Sequence, residues 1–246
     1  MVCIYKDRLH IYFKVPYSPL TFDGFRDNLR RASVSQILLI TSSPRGATSY
    51  SSQVARSLAE KLAAADADCR ITVRDLAHAP VPHIDDTFAI ARNLPAESLT
   101  AEQQAALRLS DALLAELLAA DVIIIGAGMI NFGIPSALKA YIDYIVRPGV
   151  TFKYSERGPE GLVKGKKVYL VMARGGIYSQ GPMQAFNFQD TYLKTALGFI
   201  GLTDIEVIAI EGIAFGPEAA DKTVAAAFAK VSALAGELAE ETRFAA

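Results

Sequence analysis

Five short apolar stretches alternate with helix-forming segments from residue 36 onward. The stretches are QILLIT at 36–41, CRITVRDL at 69–76, VIII at 122–125, KKVYLVMAR at 166–174 and DIEVIAIEG at 204–212. Helical periodicity separates them, for example at Val54, Leu58 and Leu62. Strands that alternate with helices form parallel β-α-β units joined by right-handed crossovers. The pattern predicts an α/β fold: a doubly wound five-stranded parallel sheet of order 2-1-3-4-5, with helices on both faces.

Composition excludes several classes of protein. The chain is 51% hydrophobic and 21% charged, as expected of a globular protein with a large core. Its formal net charge of -1 lacks the basic footprint of a nucleic-acid binder. Asp111, Glu116 and Asp121 interrupt the best candidate for a membrane span. Cys3 and Cys69 are far apart and the three histidines have no metal-ligand spacing, so we expect no metal and a cytoplasmic location.

The first 34 residues differ from the rest of the chain. Charged side chains from Lys6 to Lys14 break any apolar centre that a signal peptide would need. Several aspartates argue against an organelle-targeting segment. We expect residues 1–34 to be a loosely ordered N-terminal extension, or translated sequence upstream of a start near Val34, and residues 35–246 to be the compact domain.

The loop after the first strand is rich in hydroxyl groups. Ligands of such a sheet bind outside the carboxyl ends of the strands, where the strand order reverses. The segment TSSPRGATSYSSQ, at 41–53, has six Ser or Thr residues after Thr41 and leads into a helix, whose N-terminus favours a phosphate. A single serine there can also simply cap the helix. The loop has neither GxxxxGK[ST] nor GxGxxG, which argues against a nucleoside triphosphate or a dinucleotide and favours a monophosphate.

The loops after the third and fourth strands complete the predicted site. GAGMINF brings Met129, Ile130 and Phe132 to the same edge of the sheet, where apolar side chains can cover a flat aromatic ring. Packing beneath the next helix is the alternative. In ARGGIYSQGP, Gly175 and Gly176 allow close approach of the backbone and offer N–H groups. A phosphate end, an apolar plate and a polar edge together match flavin mononucleotide (FMN).

On these motifs the chain resembles the FMN-dependent NADH-azoreductase and NADH:quinone oxidoreductase family, whose fold is flavodoxin-like. The resemblance covers roughly residues 35–246 and includes MINF against Met-Tyr-Asn-Phe, ARGG against Ser-Arg-Gly-Gly, PEGLVKGKK and LGFIGLTD. It implies one non-covalent FMN per chain and NADH as co-substrate. Carried over by position, the cofactor-binding residues are Ser43, Ser49, Tyr50, Ser51, Met129, Ile130, Asn131, Phe132, Ala173, Arg174, Gly175 and Gly176.

Three departures from the family pattern affect the expected substrate range. Ile130 replaces a tyrosine, Ala173 replaces a serine, and Tyr178 stands where relatives can have histidine. Tyr154 and Phe199 match positions at which aromatic residues of one subunit wall the pocket of the other, so with Tyr178 they are the substrate-pocket candidates. Ordinary core or edge packing is the alternative for these positions, for Phe199 in particular.

The resemblance also implies a homodimer with the site at the subunit boundary. The helix after the MINF loop offers Ala137, Tyr141, Tyr144 and Ile145 to such an interface. The alternative is that these side chains cover their own sheet.

The implied reaction is two-electron ping-pong hydride transfer. NADH delivers hydride to the flavin N5 and leaves as NAD⁺, and a quinone or an aromatic azo compound then takes two electrons at the same place. The flavin does this chemistry, and the sequence indicates no protein acid or base. An electron-carrier flavodoxin is one alternative. Such carriers usually dock through a strongly charged face, and the near-neutral net charge of this chain argues against one. A flavin-free interaction module on the same fold is the other.

Overall fold

The computed structural model describes residues 34–245, with side-chain environments up to residue 237. The prediction for residues 1–34 therefore falls, except for Val34, outside the described residues. The strands are β1 Gln36–Thr41, β2 Arg70–Asp75, β3 Val122–Gly128, β4 Phe152–Ser155, β5 Gly158–Gly161, β6 Lys167–Ala173 and β7 Asp204–Ile210. The helices are α1 Tyr50–Ala63, α2 Asp86–Ala91, α3 Ala101–Ala119, α4 Ser136–Ile145, α5 Asp190–Phe199 and α6 Pro217–Ala245.

One sheet contains five of these strands in the order β2-β1-β3-β6-β7, and each neighbouring pair is parallel. Strands β4 and β5 form a separate antiparallel pair. The order of the large sheet is therefore the predicted 2-1-3-4-5, and the predicted fold class is confirmed. All five apolar stretches contain or begin their strand, with ends that differ by a few residues.

The core lies on both sides of this sheet. Successive residues of a strand point to opposite faces. Accordingly Ile37 and Leu39 of β1 belong to one buried cluster, together with Leu58 of α1, whereas Leu38 and Ile40 belong to the other. The second cluster also contains side chains of α3, α4 and α5. Helices covering both faces explain why the central strands are apolar along their length.

Helix α4 packs against its own sheet. Tyr141, Tyr144 and Ile145 are buried inside the single chain, and Ala137 is partly buried against the same core. The expectation that this set is available to a subunit interface is therefore wrong for the first three. Their apolar surface is already covered within the chain, as the alternative interpretation had it.

Two elements do not appear in the sequence prediction. Helix α2 lies between the second and third apolar stretches; the Asp85 carboxylate caps it by accepting a hydrogen bond from the Phe88 N–H at 2.7 Å. The ring of Phe88 then stacks on Tyr144 at 4.3 Å, so tertiary packing supports this short helix. The β4–β5 hairpin turns at Glu156 and Arg157, and β5 begins at Gly158, whose φ of +104° suits glycine.

The start of α3 follows its sequence signal closely. The Thr-x-x-Gln spacing from Thr100 to Gln103 indicates a capping box, and the two residues form one: each side chain accepts a hydrogen bond from the other residue's N–H. No helix within residues 34–245 is both long and apolar enough to cross a bilayer.

Candidate active site at the carboxyl edge of the sheet

The loops that leave β1, β3, β6 and β7 converge on one cleft of about 420 Å³. This volume lies within the usual range of small-molecule sites. The lining residues are Ser43, Arg45, Ser49, Tyr50, Ser51, Gly128, Met129, Ala173, Arg174, Gly175, Ile213 and Ala214. The structure thus brings residues of all three predicted loops together. It adds Arg45, Gly128 and the Ile213–Ala214 pair, which the sequence analysis did not select.

The hydroxyl side of the cleft combines capping with exposure to a ligand site. Ser49 Oγ accepts a hydrogen bond from the Ser52 N–H at 3.3 Å, and so caps α1. The same oxygen lies 3.1 Å from Ser51 Oγ. Ser43 Oγ accepts a long hydrogen bond, of 3.4 Å, from the Arg45 N–H. A hydroxyl has one proton and two lone pairs, so capping leaves each serine able to bind a ligand as well.

A cation lies at the mouth of this hydroxyl side. The exposed Arg45 guanidinium lies over the ring of Tyr50, 5.9 Å from its centroid, within the range of a cation–π contact. Among the described residues Arg45 has no carboxylate partner, in contrast to the other arginine in the cleft. Its charge is therefore available to an anionic ligand.

The MINF segment forms a tight turn. Ile130 and Gly133 exchange two backbone hydrogen bonds of 3.0 Å across Asn131 and Phe132, whose φ angles are +46° and +70°. A positive φ is rare for a bulky residue such as phenylalanine, and such strain gathers at functional sites. Ile130 and Phe132 remain 43% and 42% exposed. Packing beneath the next helix therefore does not account for these apolar side chains.

Several predicted site residues lie outside the cleft lining. Ile130 lines a neighbouring cleft of about 500 Å³, which Arg45 also lines. Asn131, Phe132 and Gly176 are close in sequence to residues that line the first cleft, but they do not line it themselves. A Cβ added at Gly176 would come within 3.2 Å of the Tyr178 ring, so this loop folds back on itself.

The Arg174 side chain supports the site from inside the protein. It is 1% exposed, and its Nε, Nη1 and Nη2 donate to Gln189 Oε1 at 3.0 Å, Glu211 Oε1 at 2.9 Å and Asp190 Oδ1 at 2.7 Å. Gln189, also buried, donates through Nε2 to the carbonyl of Ala127 in β3 at 3.1 Å. The guanidinium is thus committed to internal partners, and only the rest of Arg174 is left to contact a ligand.

Glu211 is a central residue of this network that the sequence analysis missed. Burial acts to raise the pKa of its carboxyl, but hydrogen bonds from the Ser179 hydroxyl, the Tyr178 N–H and the Arg174 guanidinium outweigh it and hold the pKa below its ordinary value. The available signal was the segment EGIAFG immediately after the last strand. This segment follows the fifth strand of the sheet, whereas the predicted site consists of the loops after the first, third and fourth strands.

The aromatic pocket candidates are separated in the single chain. Tyr154 is 76% exposed on the β4–β5 hairpin, with its ring edge-on to Phe152 at 5.6 Å. The ring centroid of Phe199 lies 4.5 Å from that of Phe152, and Phe199 is partly buried against the core. Neither lines the cleft. Tyr178 lies closer to it, with its ring 6.3 Å from that of Phe132.

Residues 34–245 contain no group of three or more His, Cys, Asp or Glu side chains placed to hold a metal ion.

The sequence profile of a family described as having a flavodoxin-like fold matches residues 35–235. The chain belongs to this family. Among curated proteins, it is 56% identical to FMN-dependent NADH:quinone oxidoreductase 1 of Rhizobium etli over 202 residues, which are 82% of this chain and 98% of that protein. It is 55% identical, with the same coverage, to the FMN-dependent NADH:quinone oxidoreductase of Agrobacterium fabrum. These relatives place the chain in the predicted branch of the flavodoxin-like family.

Solved structures of the flavodoxin-like family agree with this placement. The azoreductase AzrA superposes with a TM-score of 0.77 at 30% identity, covering 82% of this chain and all of that one. An FMN-dependent NADH-azoreductase from Bacillus anthracis, solved in complex with FMN, gives a TM-score of 0.75 at 28% identity, covering 83% of this chain and 99% of that one.

Proposed function

We propose that this chain is an FMN-dependent NADH:quinone oxidoreductase that also reduces aromatic azo compounds, with NADH and the acceptor using one site in turn. The observation that carries the proposal is the convergence of a hydroxyl-rich loop, an apolar loop and a glycine loop on a single cleft. The full-length similarity to FMN-dependent NADH:quinone oxidoreductases supports it.

The residues present fit FMN. Ser49 and Ser51 are buried at the N-terminus of α1, which suits a phosphate, and the buried Ser43 of the preceding loop lines the same cleft. Met129 and Ile213 supply apolar lining for a flat ring. FMN, when bound, supplies the hydride chemistry, and the protein supplies binding, orientation and exclusion of water.

Tyr50 is the one described lining residue with a phenolic proton, and its ring lies against the Arg45 guanidinium on the hydroxyl side of the cleft. None of the described lining residues is His, Asp or Glu. The two arginines of the lining remain charged at neutral pH. The proposal therefore takes the protons of quinone or azo reduction from solvent.

Steady-state turnover tests this function. The protein reconstituted with FMN should oxidise many equivalents of NADH in the presence of a soluble benzoquinone, and should also bleach an aromatic azo dye. An electron carrier would take up one equivalent of reductant and stop. A flavin-free interaction module would not retain FMN at all.

The proposal includes a homodimer in the cytoplasm. Phe132 contacts Phe186 at 5.6 Å, and its carbonyl accepts a hydrogen bond from the N–H of Phe188, so three exposed aromatic residues adjoin the cleft. Together with the exposed Tyr154 they offer apolar surface to a second copy. The free thiol of Cys69 suits a reducing compartment. Light scattering at micromolar concentration tests the assembly, and a fully active monomer would refute the shared site.

A further inference from the structure

The glycine loop after β6 is bound by the segment that follows β7. The N–H groups of Gly212, Ile213 and Ala214 donate in turn to the carbonyls of Gly176, Arg174 and Gly175, at 3.0, 3.3 and 2.9 Å. The carbonyls of both loop glycines are therefore occupied. Their N–H groups have no hydrogen-bond partner among the described residues, so the loop has spare donors on one side only.

Glu211, which directly precedes this segment, holds the rest of the loop. Its Oε1 accepts hydrogen bonds from the Tyr178 N–H at 2.8 Å and from Arg174 Nη1 at 2.9 Å, and its Oε2 accepts one from the Ser179 hydroxyl. Three groups on both sides of the glycine pair thus end on one carboxylate. The buried Arg174 requires this negative charge, since a buried cation without partners is strongly destabilising.

The conformation of a glycine pair does not maintain itself. Glycine has more backbone freedom than any other residue and loses the most entropy when it is fixed. Precise donors to a ligand need supporting contacts that lock them in place before the ligand arrives. Glu211 and the segment after it are the described contacts that do so here.

We propose that Glu211 is a positioning residue of the flavin site: its carboxylate, acting through Arg174, Tyr178 and Ser179, keeps the N–H groups of Gly175 and Gly176 available to the polar edge of the flavin ring. This inference rests on the proposed function. The low pKa of the Glu211 carboxyl agrees with it, because the carboxylate then remains ionised at neutral pH.

Flavin titration of the apoprotein tests the inference, with FMN and riboflavin as probes. The two flavins share the ring and differ in the phosphate. Glu211→Gln keeps the shape of the side chain and removes its charge, so we expect both dissociation constants to rise by the same factor, roughly tenfold or more for a lost charge-assisted hydrogen bond. The absorption spectrum of the bound flavin should also shift towards that of free flavin.

Two control variants make the result specific. Ser43→Ala should weaken FMN more than riboflavin, because it acts at the phosphate end. Glu206→Gln removes an ion-paired carboxylate of β7, the strand that leads into Glu211; it pairs with Lys230 at 3.0 Å, and its loss should leave both affinities unchanged. If thermal melting shows that Glu211→Gln has lost its fold, Ser179→Ala serves in its place, because it removes only one contact to the carboxylate. It should weaken FMN and riboflavin binding by equal factors, smaller than those expected for Glu211→Gln.

Wild-type affinity for both flavins in a folded Glu211→Gln protein would overturn the inference, as would a loss confined to FMN. A wild-type protein that binds neither flavin would overturn the proposed function, and this inference with it.

Discussion

The two ends of the candidate site are built in different ways. The hydroxyl loop after β1 is held by local contacts: Ser49 bonds to residues two and three positions away, and Ser43 to Arg45. The glycine loop after β6 is held by distant ones, since Arg174 reaches residues 15, 16 and 37 positions away. A locally held loop can be changed with little effect on the fold. A loop held by a buried ionic network cannot.

The arginines at the two ends also differ, in their exposure to solvent. Arg45 is exposed, and Arg174 is buried between two carboxylates. Substitutions at the first end should therefore act mainly on ligand binding, and substitutions at the second on stability as well. The following predictions test this contrast.

The largest expected effect is on stability, at the buried arginine. Arg174→Met removes the buried cation that pairs with the partly buried carboxylates of Glu211 and Asp190, which should lower the free energy of unfolding of the apoprotein by about 3–5 kcal/mol. Arg56→Met, at an exposed position of α1, should change it by less than about 0.5 kcal/mol. Urea unfolding measures both, and equal midpoints would contradict the contrast.

This prediction depends on contacts that could not be derived from the sequence. The alternation of strands and helices predicts the sheet order, because short crossovers leave few topologies open. The hydroxyl loop was also predictable, since its residues act on groups within a few positions. The partners of Arg174 come from the ends of different strands and loops, and only the fold brings them together. The side chain was therefore predicted as a ligand contact, whereas its guanidinium binds Gln189, Glu211 and Asp190.

The sequence is equally unable to show which surface the apolar face of α4 packs against. Periodicity identifies an apolar face, but it does not say whether that face meets the chain's own sheet or another subunit. Tyr141 and Tyr144 are buried in the chain's own core, where Tyr144 stacks on Phe88. The turn at Phe132 was equally hidden, because its positive φ is not the preference of that residue type.

The next largest effect is on FMN affinity at the hydroxyl end. Each of Ser43→Ala, Ser49→Ala and Ser51→Ala should weaken FMN binding by roughly 1–3 kcal/mol through loss of a hydrogen bond to the charged phosphate. Riboflavin affinity should change little. Calorimetric titration of the apoprotein measures both. Unchanged FMN affinity in the triple variant would mean that these serines only cap the helix.

A smaller effect should appear on acidification, at the glycine end. The pKa of Glu211 is lowered from 4.5, so its contribution to stability is present above that value and is lost as the pH falls through the lower folded-state pKa. The charged group that faces the Glu211 carboxylate is the Arg174 guanidinium, which also pairs with Asp190. The urea midpoint of the wild-type protein should therefore fall more steeply below pH 4.5 than that of Glu211→Gln. Parallel pH curves would contradict this role.

No effect is expected from removing residues 1–34. Neither loop contains residues of this segment, and the family match begins at residue 35. A chain that starts at Ser35 should keep its FMN affinity and its melting temperature. Loss of both would show that the segment contributes to the domain.

Identification of the bound chromophore tests the central claim most directly. The site has one hydroxyl-lined end, the proposed position of the phosphate, and the sequence has no dinucleotide fingerprint. Heat release from the purified or reconstituted protein, followed by chromatography, should therefore yield one FMN per chain. Recovery of FAD, or of no flavin after reconstitution with FMN, would contradict the account.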